Sequence, residues 1–407
     1  MARFGIGSIL SGAALLALGC NPADFSDLED QTWVHVAGSG SSSRDKQIAI
    51  GPVSTDSPNF MVAGTAPVSL SSLSYESNGG LTKVEADLGS VINTSVENAI
   101  VLTATAPADG LFMMAVEQDG RSNNDDIGYS LVGIFDQNSE NPGDELDIVT
   151  SGKEARTNSA WIALAAVTKT SDDDVARLGQ LAALTDGNVL EAFDSFNQDS
   201  TSGPGLSLGA ASACLIDTSA VQGTPTPTAG LAILSGSHYL VGSDGGVLEV
   251  SLPAMPGADQ PCNVGILNSD AAVDGPIEVG EYVDGMPNDR DIVASEVGAT
   301  VVLLPNWVGP GNVGNPKVFN APDGASDQWG AALAVGDFDD DGDSDLAVGD
   351  PLEGTVHVYE LEGNDIAPTA TLSPVESESG FGKSLAAVPF GAGGLLDALR
   401  RAGAEQT

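Results

Sequence analysis

Residues 329–361 read WGAALAVGDFDDDGDSDLAVGDPLEGTVHVYEL, and the reading of this stretch decides the fold. Three apolar runs of strand length are separated first by an aspartate-rich loop and then by a turn containing Gly354. Short runs bounded by Gly, Pro and Asp read as strands. At Phe381, 52 residues after Trp329, FGKSLAAVPFG repeats the opening of the pattern. A period near 50 residues is that of a radial or linear repeat array.

Working outward, GYSLVGIFDQ from Gly128, GLSLGAAS from Gly205 and IEVGEYVDGMPNDRDIVASEVGATVVLL from Ile277 follow the same pattern, with a weaker copy from Gly80. Apolar pairs follow them: DIVTSG with AWIALAAV, LAILSG with GGVLEVSL, and DIVAS with ATVVLL. Uneven spacing is assigned to insertions at Thr168–Thr201, a segment expected to project as a loop, and at Gly223–Pro227. KQIAIGPVSTDSPNFMVAG, from Lys46, looks like the two-strand end of a repeat without its opening. The C-terminal copy has an opening and then stops at DALRRAGAEQT.

A thin four-stranded unit cannot bury both of its faces alone, and radial stacking with the first strands completing the last unit removes the open seam. The expected fold is therefore an all-β propeller of four-stranded blades, seven in preference to six, with an open β-solenoid as the alternative. It should occupy residues 48–407, with the best repeats at 277–304, 329–361 and, incompletely, 381–407. Because the last repeat is incomplete and residues 395–406 read as more helical, either a truncated gene or completion by N-terminal strands would account for the end.

The aspartates of DFDDDGDSD add a chemical signal. Asp337, Asp339, Asp341 and Asp345 fall at relative positions one, three, five and nine, Gly342 permits the turn, and Asp343 stands at position seven to offer its carbonyl. Crowded carboxylates repel one another unless a cation joins them, and a flexible all-oxygen set suits Ca²⁺. No helical sequence flanks the loop, so it is not an EF-hand. A weaker set is Asp136, Asn138, Glu140, Asp144 and Asp147, in a loop three residues longer. In the Ile277 copy Glu281 and Asp291 remain while Val283 takes the third position, leaving Asp284, Asn288 and Asp289 as substitutes. The Phe381 copy keeps only Asp397 and should bind no metal.

Residues 329–359 resemble the FG-GAP repeat of integrin α-subunit propellers and related bacterial proteins. Trp329-Gly330 stands where that family has Phe-Gly, Phe381-Gly382 retains the pair, and Gly349-Asp350-Pro351 stands for Gly-Ala-Pro. The resemblance implies seven blades, calcium in blade loops and faces that bind proteins or glycans.

Residues 1–19, MARFGIGSILSGAALLALG, carry one basic residue, Arg3, ahead of an uncharged apolar run, and read as a secretion signal. LALGC, ending at Cys20, resembles the bacterial lipoprotein signal, which implies a lipid on Cys20 and attachment to the cell envelope, at the outer membrane or cell surface. Residues 20–47 form an acidic, Gly/Ser-rich tether. The chain has 14 Lys plus Arg against 57 Asp plus Glu, a formal net charge of −43. That charge excludes the electrostatic footprint of a sequence-independent nucleic-acid binder. Cys214 and Cys262 are an even pair in a compartment that permits disulfides, and a bond or two buried thiols both fit.

Enzymatic signals are weak. The three histidines, His35, His238 and His357, read as surface or packing residues, and HExxH and phosphate-loop motifs do not occur. Trp307, within LPNWVGPGNVGN, is the best loop candidate for a ligand contact, but core packing or blade-to-blade contact is the preferred reading. The preferred reading is a calcium-stabilised, lipid-anchored binding or adhesion protein for a protein or glycan ligand. An extracellular polysaccharide-acting enzyme and a structural component of a surface complex are the alternatives.

Overall fold

A computed structural model describes strands between Ile48 and Asp397 and, with side chains, residues 161–165, 182–193, 212–234, 237–267, 271–280, 290–336, 338, 344–361, 367–373, 381–383 and 385. The described residues form seven successive sheets whose strands pair antiparallel throughout. The first contains β1 (Ile48–Pro52), β2 (Asn59–Thr65), β3 (Val68–Tyr75) and β4 (Leu81–Glu85), paired in chain order. The second runs β5 (Ala99–Thr103), β6 (Leu111–Gln118), β7 (Ile127–Asp136) and β8 (Leu146–Thr150), with β9 (Ala155–Thr157) also on β7.

In the third, β10 (Trp161–Lys169), β11 (Arg177–Thr185), β12 (Val189–Phe193) and β15 (Ala211–Leu215) make the main ladder. A ribbon of β13 (Phe196–Gln198) and β14 (Leu206–Leu208) branches from β11. The fourth sheet is β16 (Pro227–Ser235), β17 (His238–Ser243), β18 (Gly246–Ser251) and β19 (Asn263–Asn268). The fifth is β20 (Ile277–Gly280), β21 (Arg290–Glu296), β22 (Thr300–Trp307) and β23 (Lys317–Asn320). β24 (Ala332–Gly336), β25 (Asp345–Asp350), β26 (Thr355–Glu362) and β27 (Asp365–Leu372) form the sixth. β28 (Ala387–Phe390) and β29 (Gly394–Asp397) form a hairpin.

The described second strands β21 and β25 are covered on both faces, and their central residues are apolar in succession rather than alternating, with buried polar residues at the strand ends. β25, DLAVGD, is buried along its whole length, and β21 is buried from Asp291 to Ser295. The outer strand β23, KVFN, alternates half-buried and exposed residues.

Among the described residues, side chains of the third to sixth sheets meet those of the next sheet in line. Leu190, Cys214, Tyr239 and Val250 share a core between the third and fourth sheets. Leu240, Val247, Ile292 and Val302 fill the space between the fourth and fifth. Val293, Leu303, Trp329 and Leu346 do so between the fifth and sixth. First strands also neighbour first strands: β1 lies beside β5, β5 beside β10, β10 beside β16, β16 beside β20, β20 beside β24, β24 beside β28, and β28 beside β1.

Trp329 and Gly330 seat the sixth sheet against the fifth. The Trp329 ring is buried, its carbonyl accepts the Gly298 N–H at 2.6 Å, and the Gly330 carbonyl accepts the Ser295 hydroxyl at 2.8 Å. Gly330 has φ +86°, which a side chain would strain. Gly382 does the same for the C-terminal hairpin: a Cβ added to Gly349 would come within 1.9 Å of its carbonyl oxygen.

Three sequence expectations need correction. Thr168–Thr201 is not an insertion loop, because it supplies β11, β12 and β13. IAIGP and NFMVAGT are not the end of a divided blade: they open a four-stranded sheet of their own, and among the described residues β28 pairs only with β29. Gly80, Gly128 and Gly205 do not lead first strands. They precede β4, lie within β7 and precede β14, respectively. Apolar runs bounded by glycine look alike at every position in a sheet, so the phase was visible only where an acidic loop marks the join between first and second strands.

Candidate metal centre

The loop of residues 337–344 connects β24 to β25, the first and second strands of the sixth sheet. Gly336 and Asp345 are paired across the ladder, so the loop leaves and rejoins the sheet at adjacent positions. Phe338 is buried with Ala334, Ala347, Val356 and Phe381 and anchors the start of the loop. Its N–H donates to Asp345 Oδ2 at 2.7 Å, and Asp345 is itself buried. The apolar residue inside an otherwise acidic loop therefore fixes its base, while a buried carboxylate closes it.

Of the five expected ligands, only Asp345 falls among the described side chains; Asp337, Asp339, Asp341 and Asp343 lie outside them. Among the described residues no group of three His, Cys, Asp or Glu side chains is gathered as a metal site. The donor set nevertheless suits Ca²⁺: oxygen atoms alone, clustered in sequence, with a buried carboxylate at the end of the loop.

The fifth sheet repeats the arrangement. Asp291 pairs with Gly280 across the ladder, is fully buried, and accepts the Asn306 N–H at 2.8 Å. Residues 281–289 between the strands lie outside the described ones. In the fourth sheet the equivalent second strand opens with His238, whose Nδ1 approaches Glu249 Oε1 to 3.1 Å in an ion-pair contact off hydrogen-bonding geometry. Glu249 Oε2 accepts the Gly311 N–H at 2.7 Å.

The Asp136–Asp147 set occupies a different place. Asp136 ends β7 and pairs with Leu146, and Asp147 follows on β8, so this turn joins third and fourth strands. Asn138, Glu140 and Asp144 are outside the described residues, as are Cys20 and His35.

Trp307 takes the core-packing reading rather than that of a loop-borne aromatic. It ends β22, is 8% exposed, and lies 5.9 Å, centroid to centroid, from the His238 ring. The Pro/Gly-rich stretch that suggested a presenting loop begins only after it. Cys214 and Cys262 are joined in a disulfide, and Leu215 N–H donates to the Gln260 carbonyl while Cys262 N–H donates to that of Leu215. His357 is half-buried between Thr355 and Thr371; burial lowers its pKa, and the Asp350 charge acts in the opposite direction.

Sequence reasoning missed Asp350 as a structural residue. Fully buried, it accepts from the Ser326 N–H at 2.7 Å, the Ser326 hydroxyl and the Glu353 N–H, so it ties the approach to the sixth sheet to the turn after β25. Its place after Gly349 was the available signal.

Residues 329–359 match the FG-GAP repeat family. No curated protein matches the chain. Among solved structures, the chain is similar to the Cps50 (Swd1) β-propeller domain of Myceliophteria thermophila at 10% identity, covering 88% of this chain and 92% of that one with a TM-score of 0.48. It is also similar to AofleA from Arthrobotrys oligospora at 13% identity, covering 82% and 87%, again with a TM-score of 0.48.

Proposed function

We propose that this chain is a calcium-stabilised propeller, held to a bacterial cell envelope by lipid on Cys20, that binds a protein or glycan ligand. The observation that carries this reading is the acidic loop between β24 and β25, within the FG-GAP match, with Asp345 buried at its end. Ca²⁺ would replace carboxylate repulsion with shared coordination and hold the hairpin to its sheet. Seven blades closed into a ring is the arrangement favoured by the neighbour relation that runs from β1 through successive first strands and back to β28.

Calorimetry of the chain lacking residues 1–20 tests the metal. Ca²⁺ should bind and raise the melting temperature, and Asp339→Ala should remove one site; unchanged stoichiometry and affinity would defeat the assignment. Glycan and protein arrays with and without Ca²⁺ test recognition. Binding that persists undiminished in chelator would separate the metal from ligand recognition. Metabolic labelling with an alkynyl fatty acid should mark the wild-type chain and spare Cys20→Ala; equal labelling would refute the anchor.

A further inference from the structure

Two connections between a third and a fourth strand reach back to the preceding sheet. In the fourth sheet, the connection 252–262 is fastened to β15 by the Cys214–Cys262 bond and by the backbone hydrogen bonds of Leu215. In the fifth, the connection 308–316 crosses to β18, where the Gly311 N–H donates to Glu249 Oε2 at 2.7 Å. This strap is held in shape from within. The Asn312 N–H donates to the Gly309 carbonyl at 2.9 Å, the Gly314 N–H donates to the Pro305 carbonyl at 2.6 Å, and Val313 packs on the core between the two sheets.

Glu249 is 6% exposed. Leu248 and Val250 face the third sheet, so strand alternation turns Glu249 toward the fifth. A carboxylate withdrawn from water is costly unless a cation stands beside it. Among the described residues its one charged partner is His238, whose Nδ1 lies 3.1 Å from Oε1, and neither of these two atoms makes a hydrogen bond elsewhere. The Trp307 ring, 5.9 Å from the imidazole between centroids, also suits a cation at that place. The surrounding elements offer few other charges. β16, β19, β22 and the strap have none; β21 opens with Arg290, paired with Trp307 across the ladder, and Asp291, which accepts the Asn306 N–H; and the 252–262 connection carries Asp259. β20 turns Glu278 to its opposite face, away from Ile277 and Val279, where burial pushes its pKa up to about 7.

We propose that His238, Glu249 and the 308–316 strap form a pH-operated latch across the seam between the fourth and fifth sheets. Imidazole is the side chain that changes charge between about pH 5 and 8. As imidazolium, His238 balances the Glu249 carboxylate and keeps it in place to receive the Gly311 N–H. Without that proton the carboxylate is buried beside no counter-charge, and turning it out to water gives up the bond to Gly311. The latch therefore holds at the acid end of the range and releases as pH rises. Val308 and Asn312 are exposed on the strap, so release changes the surface that this end of the two sheets offers to a partner.

The test is NMR of the full chain labelled with ¹⁵N-glycine, followed from pH 5 to 8.5, with the Gly311 resonance identified by its loss in Gly311→Ala. An amide proton bonded to a carboxylate lies downfield, so the Gly311 signal should start downfield and move upfield as pH rises. The shift should vanish in His238→Gln and in Glu249→Gln. The melting-temperature loss caused by Glu249→Gln should be larger at pH 5.5 than at pH 8.5, because the wild type gives up the ion pair on its own at the higher pH. A Gly311 signal that stays in place across the range in wild type, or one that moves equally in His238→Gln, overturns the latch; so does a melting-temperature loss that is the same at both pH values.

Discussion

Gly349 illustrates how little room the joint between the sixth sheet and the C-terminal hairpin leaves. An alanine Cβ there would lie 1.9 Å from the Gly382 carbonyl oxygen, whereas one at Gly265 on the outer strand β19 would meet nothing within 4 Å. Overpacking of this kind costs roughly 1–3 kcal/mol or more. Gly349→Ala should therefore lower the denaturant midpoint clearly, and Gly265→Ala should leave it nearly unchanged; equal effects would remove the steric account. Glu278 supplies a pH-dependent counterpart. Its pKa is about 7 in the folded protein against an ordinary value of 4.5, so the folded state holds more protons between these limits. Stability from this residue falls as pH rises through that window. Glu278→Gln should flatten the decline in melting temperature between pH 5 and 8, and an unaltered slope would contradict the assignment. Gly349 stood out in the sequence only as part of the Gly349-Asp350-Pro351 motif, and Glu278 did not stand out among 57 acids.

Single elements differ in how openly they announce themselves. β24 and β25 were legible because an acidic loop of unusual composition stands between them and an aromatic-glycine pair precedes them. β11 and β12 were not, since the acidic run at Asp172–Asp174 ahead of them looks like the start of an insertion. Trp307 kept a loop reading open beside core packing for a related reason: glycines and prolines close behind it made a strand end resemble a loop. Two features of the acidic loop are matters of chain geometry rather than composition, the burial of Phe338 and the close of the loop on Asp345, and only coordinates display them. The β15–β19 connection is also an element-scale feature. Cys214 and Cys262 are 48 residues apart, and a cross-link closing a loop of that size stabilises by about 4 kcal/mol in the chain-entropy description. Replacing both with alanine should lower the unfolding free energy by an amount of this order. A loss below about 1 kcal/mol would mean that the backbone contacts around Leu215 already hold the join.

At the scale of the whole molecule, charge and connectivity act together. A formal charge of −43 spread over a stack of thin sheets opposes their compaction, and raising NaCl from 0.1 to 1 M shortens the screening length from about 10 to about 3 Å. The melting temperature in calcium-free buffer should rise across that range; a flat response would show that the acids are already balanced locally. The succession of sheets was legible from the repeated strand signals, while their phase depended on pairing partners far apart in sequence. The Cys214–Cys262 bond has a mechanical meaning as well. The third and fourth sheets touch through their first strands, β10 and β16, and are covalently joined through β15 and the segment leading into β19, at their last strands. Bound at both their first and their last strands, these two sheets should move as one unit, so a pulling force or a thermal fluctuation that parts the molecule would have to open a different seam.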